Sequence, residues 1–234
     1  DMSTLLLRLA GPLQSWGDSS RFSIRHTRRE PTKSGILGML AAAQGRRRTD
    51  PLEDLLSLEF AVRTDQPGSV LRDFHTAIRW ETGDSMPLSH RYYLEDAVFV
   101  VGIEGEAGLI GDLARAVRNP HWAPYLGRRS CPPSRPIYMG TVADDVRRAI
   151  RSAPWQAAAW YRRRTAKSGA TLFIRADARP RERVSETMRD APINFDPRRR
   201  EHGWRNVIEL EPVWIPPNPE GSPQPDFFET VAEA

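Results

Sequence analysis

The sequence contains a single cysteine, Cys131, and no long apolar run. One cysteine excludes an internal disulfide, which is typical of a protein of the reducing cytoplasm. No segment approaches the roughly 18–20 apolar residues that a membrane span requires. The apolar run at residues 5–9 is too short for a signal-peptide core and is interrupted by Arg8. We therefore expect a cytoplasmic protein with neither secretion nor a membrane partner.

Motifs for metal, cofactor and nucleotide chemistry are also missing. None of the five histidines has metal-ligand spacing from another histidine or from Cys131. No Gly-x-Ser-x-Gly elbow occurs, and Lys33-Ser34 lacks the preceding glycines of a phosphate loop. We expect no metal, no cofactor and no nucleotide hydrolysis.

The residues present could still build a metal-free RNA-cleaving site. Such a site needs a His or Tyr as base and a Lys or Arg that stabilises the phosphorane. His75 lies near Arg72 and Asp73 in the sequence, and His26 lies near Lys33. Isolated histidines are mostly structural or solvated, so this hypothesis needs support from elsewhere.

The net charge of +4 conceals a strong asymmetry along the chain. Residues 21–48 carry eight basic side chains against Glu30 alone, and residues 147–167 carry seven basic side chains and no acidic one. Residues 209–234 carry six acidic side chains and no basic one. Because nearly all the positive charge is Arg, which forks onto phosphates, nucleic acid is the leading partner class. Acidic protein partners are the alternative.

Residues 31–45 predict one short helix with clear ends. Thr32 or Ser34 can serve as the N-cap, and Gly45 is suited to the left-handed position after the last turn. Lys33 lies at the positive end of the helix dipole, where an anion such as phosphate is favoured.

Residues 2–143 predict an α+β domain of the ferredoxin-like or RRM-like type, in which two strand–helix–strand units are separated by an insertion. The predicted helices besides 31–45 are residues 51–58 and 108–117, and the predicted strands are 3–10, 58–63, 97–103 and 136–140. Residues 64–93 have no core pattern, and their aromatic and basic residues predict a projecting hairpin. A sheet of this type suits single-stranded RNA, whose bases can spread on its surface.

The second part of the chain, residues 144–215, predicts a small antiparallel β domain appended to the first. It begins with a basic helix at residues 144–151, and its predicted strands are 171–176, 182–188 and 206–212. The Pro-rich acidic end, residues 216–234, is predicted to be mobile.

Four motifs, in the family order, resemble those of the Cas-five family, and the last two resemble its type I-E branch. The motifs are residues 9–17 (LAGPLQSWG), 31–38 (PTKSGILG), 71–76 (LRDFHT) and 125–132 (YLGRRSCP). The resemblance implies a modified RRM fold with a β-hairpin thumb at about residues 66–94. It also implies a non-catalytic subunit of the CRISPR surveillance complex Cascade, acting in antiviral defence.

The resemblance implies that this chain holds the 5′ handle of the CRISPR RNA at the foot of the complex. The resemblance therefore implies three partners, namely that handle, the terminal backbone subunit and the large PAM-reading subunit. Target DNA within the complex is a further possible partner. The implied RNA-binding residues are Gln14, Ser15, Trp16, Arg21, Arg25, Lys33, Ser34, Gly35, Arg72, His75, Arg91, Tyr92, Arg128 and Arg129.

Two alternatives stay open. The sister type I-C branch uses the same fold to cut the precursor RNA, so a metal-independent endoribonuclease is the second hypothesis. The motif at residues 128–132 favours the branch that does not cut. The third hypothesis is an assembly subunit whose arginines face acidic proteins.

Overall fold

The structure, a computed structural model, describes residues 1–17, 20–21, 24–196, 198 and 201–218. Of the predicted mobile tail, everything from residue 219 onward lies outside the described residues. None of the helices in these ranges combines the length and the apolar character needed to cross a bilayer.

The helices and strands follow the predicted order, with additional short strands in the first loop and a helix after residue 158. In chain order they are β1 (Met2–Ala10), β2 (Leu13–Gln14), β3 (Ser20–Arg21), β4 (Ile24–Arg25), α1 (Lys33–Ala43), α2 (Glu53–Leu56), β5 (Glu59–Gln66), β6 (Ser69–His75), β7 (Ser89–Glu95), β8 (Val98–Glu106), α3 (Ala107–Arg118), β9 (Tyr138–Val142), α4 (Val146–Ser152), α5 (Ala159–Thr165), β10 (Ala170–Asp177), β11 (Glu186–Asn194) and β12 (Glu201–Ile215).

Within the described residues, seven strands form one sheet in the order β11-β12-β10-β5-β8-β1-β9. Its β5-β8-β1-β9 part has α1 after β1 and α3 after β8, which is the strand–helix–strand order expected from the sequence. The pairs β1–β8, β5–β8 and β1–β9 are all antiparallel. The protein is therefore a mixed fold of helices and antiparallel sheet.

The C-terminal strands do not form a sheet of their own, contrary to expectation. β10 pairs with β5 through residues 173–176 and 61–64, and β12 and β11 continue outward from β10. Without β10, β5 would be an exposed edge with unpaired backbone groups. The pairing removes that edge and places the second part of the chain in the same sheet as the first.

The turn before β11 is longer than the sequence predicts, so this strand begins at Glu186 rather than at residue 182. Arg181 has a φ of +72°, and the Glu182 carboxylate accepts a bond from the Arg179 N–H at 2.7 Å. A left-handed residue and a side chain bonded to the backbone stabilise a turn here in place of an extended strand.

The central strands β1 and β8 of this sheet are buried on both faces. In β1, Leu5, Leu7 and Leu9 pack with α1 and α3, whereas Leu6 packs with α4 on the opposite face. Because alternate side chains point to opposite faces, a strand covered on both sides needs the continuous apolar run that the sequence shows.

Both predicted ends of α1 are present. The Thr32 Oγ1 accepts a bond from the Gly35 N–H at 3.2 Å, so Thr32 is the N-cap of the two candidates. Gly45 follows the helix with a φ of +80°, the left-handed conformation that glycine adopts without strain.

The predicted insertion contains an antiparallel hairpin of β6 and β7, paired from Ser69–Glu95 to His75–Ser89. β2 and β4 pair with the other side of β7, antiparallel and parallel respectively. Together with β3 these strands make the second sheet of the described residues. The hairpin therefore extends from a small sheet that the first loop also builds.

Candidate nucleic-acid interface

The first-loop motif is a buried support rather than an exposed surface. The Gln14 side chain is fully buried, and its Nε2 donates to the carbonyl oxygens of Leu9 at 3.1 Å and Ala97 at 2.8 Å. Its Oε1 accepts a bond from the Trp16 Nε1 at 3.0 Å. Because Gln14 and Trp16 satisfy one another inside the protein, neither side chain faces a ligand.

The motif at residues 125–132 packs directly on this loop. The Ser15 N–H donates to the Leu126 carbonyl at 3.1 Å, and the Ser15 hydroxyl donates to the Tyr92 carbonyl of the hairpin at 3.1 Å. Gly127 has a φ of +87°, and a Cβ on it would overlap the carbonyl oxygen of Ser15. The two motifs therefore fit together through backbone contacts that admit only glycine at position 127.

The helix motif completes the same support. A Cβ on Gly35 would come within 2.9 Å of the Trp16 ring, so glycine lets this ring lie against the first turn of α1. Ser34 is buried as well. Thus Ser34, predicted to contact RNA, is buried at the packed junction of the motifs, and Gly35 is half-buried there.

Lys33 is held inside the protein. Its Nζ donates to the Leu58 carbonyl at 2.6 Å and to Asp177 Oδ2 at 2.7 Å, and its backbone N–H donates to Asp190 Oδ2 at 2.9 Å. Arg205 bonds both Asp190, at 2.7 and 2.8 Å, and Asp177, at 2.8 Å. The anion expected at this helix end is thus the carboxylate of Asp190. The Lys33 ammonium is not available to phosphate or to a cleavage site with His26.

A partly exposed group of arginines lies instead on the small sheet beside the hairpin. Arg25 on β4 is the register partner of Arg91 on β7, so the two lie side by side on one face. Tyr93, two residues along β7, is on that same face. The Arg128 guanidinium lies over the Tyr93 ring at 4.8 Å from its centre, and its Nη2 donates to the Arg25 carbonyl at 3.1 Å. We call Arg25, Arg91 and Arg128 the arginine face.

Two guanidinium nitrogens of the arginine face are unsatisfied. Arg91 Nε and Arg128 Nη1 are buried, and within the described residues neither has a hydrogen-bond partner. A buried donor without a partner costs free energy, and an acceptor from outside the chain would satisfy it. Asp73 is the register partner of Arg91 on β6 and is the carboxylate nearest to this pair in the strand register.

Aromatic and histidine side chains occupy the other face of the hairpin sheet. The His26 and Tyr92 rings stack at 5.2 Å between centres with planes 18° apart. Arg72 Nη2 lies 3.2 Å from His90 Nε2, and Phe74 is 65% exposed. Flat rings and a cation on one surface are suited to stacking bases.

The predicted catalytic groupings are only partly assembled. His75 Nε2 lies 3.0 Å from Asp73 Oδ2, so this pair is formed on the hairpin. Arg72 points to His90 on the opposite face, because adjacent strand residues alternate. No three His, Cys, Asp or Glu side chains in the described ranges come together to hold a metal ion. The Cys131 thiol is buried, and burial raises its pKa.

Of the remaining predicted residues, Arg129 is exposed in its loop, and the side chain of Arg21 lies outside the described residues. Tyr93 and His90 belong to the site, although neither was among the predicted contacts. Because alternate residues of a strand share a face, the sequence of residues 90–93 could have predicted that Tyr93 lies on the face of Arg91 and His90 on that of Tyr92. No pattern in the sequence predicts that the Arg128 guanidinium contacts the Tyr93 ring.

The chain resembles proteins of one family throughout its length. Residues 4–208 match the family described as CRISPR-associated protein (Cas_Cas5). The CRISPR system Cascade subunit CasD of Escherichia coli (strain K12) is 40% identical over 169 residues, which cover 63% of this chain and 75% of that protein.

Two solved structures of CRISPR-associated proteins also resemble this chain. A chain of a structure described as a CRISPR RNA-guided surveillance complex is 32% identical with a TM-score of 0.75, and the match covers 98% of each chain. A crystal structure described as a Cas protein is 37% identical with a TM-score of 0.70, covering 92% of this chain and 99% of that one.

Proposed function

Since this chain belongs to the Cas5 family of CRISPR-associated proteins, in its type I-E branch, we propose that it binds the 5′ handle of the CRISPR RNA. It does so as a non-catalytic subunit of a Cascade complex. The relative from E. coli is named as a Cascade subunit, and a matching structure is named as an RNA-guided complex. For this reason we place the proposed RNA binding within a Cascade complex.

The observation that carries the proposal is the arginine face with its two unsatisfied nitrogens. Arg91 Nε and Arg128 Nη1 are desolvated donors without an acceptor in the described residues. Phosphate oxygens are acceptors of matching charge, and Arg binds them through its planar fork. Since Tyr93 and the Arg25 carbonyl hold the Arg128 side chain in place, little conformational entropy is lost when the phosphate binds.

The hairpin gives the RNA a second kind of contact. On the face of the hairpin sheet opposite the arginine face, a base displaced next to the handle can stack on the His26–Tyr92 pair. The hairpin tip is apolar and exposed at Ile78 and at Trp80, which is 90% exposed. Such a tip fits a protein neighbour, and we propose that the hairpin serves as the thumb that meets the backbone subunit and the large PAM-reading subunit.

One observation favours the endoribonuclease as a second candidate. The Asp73–His75 pair lies on the hairpin, and Asp73 is the register partner of Arg91. A carboxylate can orient a histidine base that takes the proton of the attacking 2′-OH, and an arginine can stabilise the phosphorane. The protonated histidine can then return this proton to the leaving 5′ oxygen.

A single assay separates these functions. Purified protein is incubated with end-labelled CRISPR repeat RNA, with and without EDTA, and analysed on native and denaturing gels. Intact RNA, retained with preference for the handle over a scrambled sequence, supports the structural binder. A sharp cut that survives EDTA and disappears in His75→Ala establishes the endoribonuclease instead.

If the isolated chain neither binds nor cuts, the same comparison is made in the assembled complex. Loss of handle occupancy with Arg91→Ala there supports RNA binding completed by neighbouring subunits. Unchanged occupancy with a weakened complex identifies the third function, an assembly subunit whose arginines face acidic proteins.

A further inference from the structure

The basic run at residues 147–167 divides into two groups in the structure. Four of its seven cations are engaged by the chain itself. Arg147 bonds Glu182 at 2.6 Å, Arg148 bonds Asp144 at 2.7 Å, Arg151 donates to the Glu211 carbonyl at 2.7 Å, and Arg162 lies 5.4 Å from the Trp155 ring centre. The other three, Arg163, Arg164 and Lys167, are exposed, and within the described residues no ion pair engages them.

These three cations lie on one face with an aromatic ring. Trp160, Arg163, Arg164 and Lys167 are spaced i, i+3, i+4 and i+7, which places them along one side of α5 and the turn that follows it. α5 has no buried residue, and Trp160 is 42% exposed. We call these four residues the α5 stripe.

The α5 stripe is firmly positioned although its own side chains are exposed. The Trp155 Nε1 donates to the Asp65 carbonyl at 2.9 Å, and the Gln156 N–H donates to Asp65 Oδ2 at 2.6 Å. Asp65 is itself buried and bonded by Arg63 at 2.7 and 3.0 Å. The segment that leads into α5 is therefore fixed to a buried ion pair on β5.

Gln66 connects the start of α5 to the base of the hairpin. Its Oε1 accepts a bond from the Ala158 N–H at 3.0 Å, and its Nε2 donates to the Asp96 carbonyl, directly after β7. Since β6 begins only three residues after Gln66, α5 begins where both hairpin strands leave the main sheet.

We infer that the α5 stripe is a second nucleic-acid contact, which binds the phosphodiester backbone without regard to base sequence. Three free cations offer charge-assisted bonds to phosphate oxygens, and the indole ring offers an apolar face to a base or sugar. A surface helix without buried residues gains little from packing, so a role in folding leaves this composition unexplained. The inference is independent of the handle assignment.

The test uses the full chain and two probes that lack the handle sequence, a DNA duplex and a single-stranded RNA. Affinity is measured from about 50 to about 200 mM salt for the wild type and for Arg163→Ala/Arg164→Ala. Losing two phosphate contacts should weaken binding several-fold at low salt and reduce the duplex salt slope by about 2. Arg163→Lys/Arg164→Lys, which keeps the charge, should retain most of the binding.

The matched control is Arg181→Ala/Arg183→Ala, which removes two exposed arginines from the turn before β11. Weaker binding by the α5 variant than by this control supports the inference. A loss for only one probe assigns the contact to DNA or to RNA. Equal losses in both double variants, or none, overturn it, as does unchanged affinity combined with a defect only in complex assembly. The α5 variant should still prefer the handle sequence over a scrambled one. A failure of this inference can therefore be distinguished from a failure of the proposed handle binding.

Discussion

The Arg128 guanidinium lies 4.8 Å from the centre of the Tyr93 ring, and this contact joins a loop motif to a hairpin strand. Tyr93 is 97% buried, so its position is fixed by the core while Arg128 remains at the surface of the small sheet. The protein itself thus holds the Arg128 side chain in place, so the RNA binding that we propose would cost less side-chain entropy.

We expect Arg128→Ala to weaken retention of the 5′-handle RNA by about 10- to 100-fold, because a bond to a charged group contributes roughly 1.5–3 kcal/mol. The lost contact with Tyr93 should lower the free energy of unfolding by only about 0.5–1 kcal/mol. Filter binding with handle and scrambled RNA measures the first effect, and urea unfolding measures the second. Arg115→Ala, which removes an exposed arginine paired with Asp112, is the control.

Arg91→Ala should leave the fold intact and weaken handle retention to a similar extent, because Arg91 Nε has no acceptor within the described residues. Removing this side chain eliminates a donor without leaving another group of the described residues unpaired. RNA occupancy of the assembled complex is the measurement, with Arg115→Ala again as the control. Wild-type occupancy in the Arg91 variant would exclude it from the RNA site.

Gly127→Ala should reduce both stability and RNA retention. The positive φ costs an alanine about 1–2 kcal/mol, and the new Cβ overlaps the Ser15 carbonyl, so the loop carrying Arg128 must move. Gly83→Ala is the matched control, since Gly83 has a φ of +74° with nothing within 4 Å of its added Cβ. Both variants carry the cost of a positive φ, so the difference between their thermal unfolding temperatures measures the cost of the overlap with Ser15 alone. Equal effects would show that position 127 tolerates a side chain.

Asp190→Asn should destabilise the fold by about 3–5 kcal/mol, because it removes a charge that Arg205 and the first turn of α1 share in the interior. Denaturant titration gives the value. Asp54→Asn, which breaks the partly exposed pair with Arg46, should cost about 1 kcal/mol or less. Similar losses in the two variants would contradict the structural role assigned to Asp190.

The Arg147–Glu182 pair predicts an acid-dependent loss of stability. The Arg147 guanidinium bond, with the Arg179 N–H, lowers the pKa of Glu182 from its ordinary 4.5 to about 2. A lowered pKa stabilises the folded state above pH 4.5, and this contribution disappears as the pH falls to about 2. The stability difference between wild type and Glu182→Gln should therefore shrink over that interval. Glu81→Gln, an exposed substitution at the hairpin tip, should show no such change.

The sequence by itself determined the elements with strong local signals. The capped helix at residues 33–43, the buried strand β1 and the hairpin between β5 and β8 all follow from caps, apolar runs and the lack of a core pattern. The family also followed from the sequence, because four ordered motifs are specific even when each alone is not. Their glycines and buried polar residues turn out to form the support of the site.

Only the tertiary structure decided which charges are free. Lys33 and Arg91 look equivalent in the sequence, yet one is buried between Leu58 and Asp177 and the other has an unsatisfied donor on a sheet face. Likewise, the sequence of neither strand predicts that β10 pairs with β5. The physical reason is the same for both: ion pairs and strand pairing join residues more than 100 positions apart, and local sequence patterns carry no information about such partners.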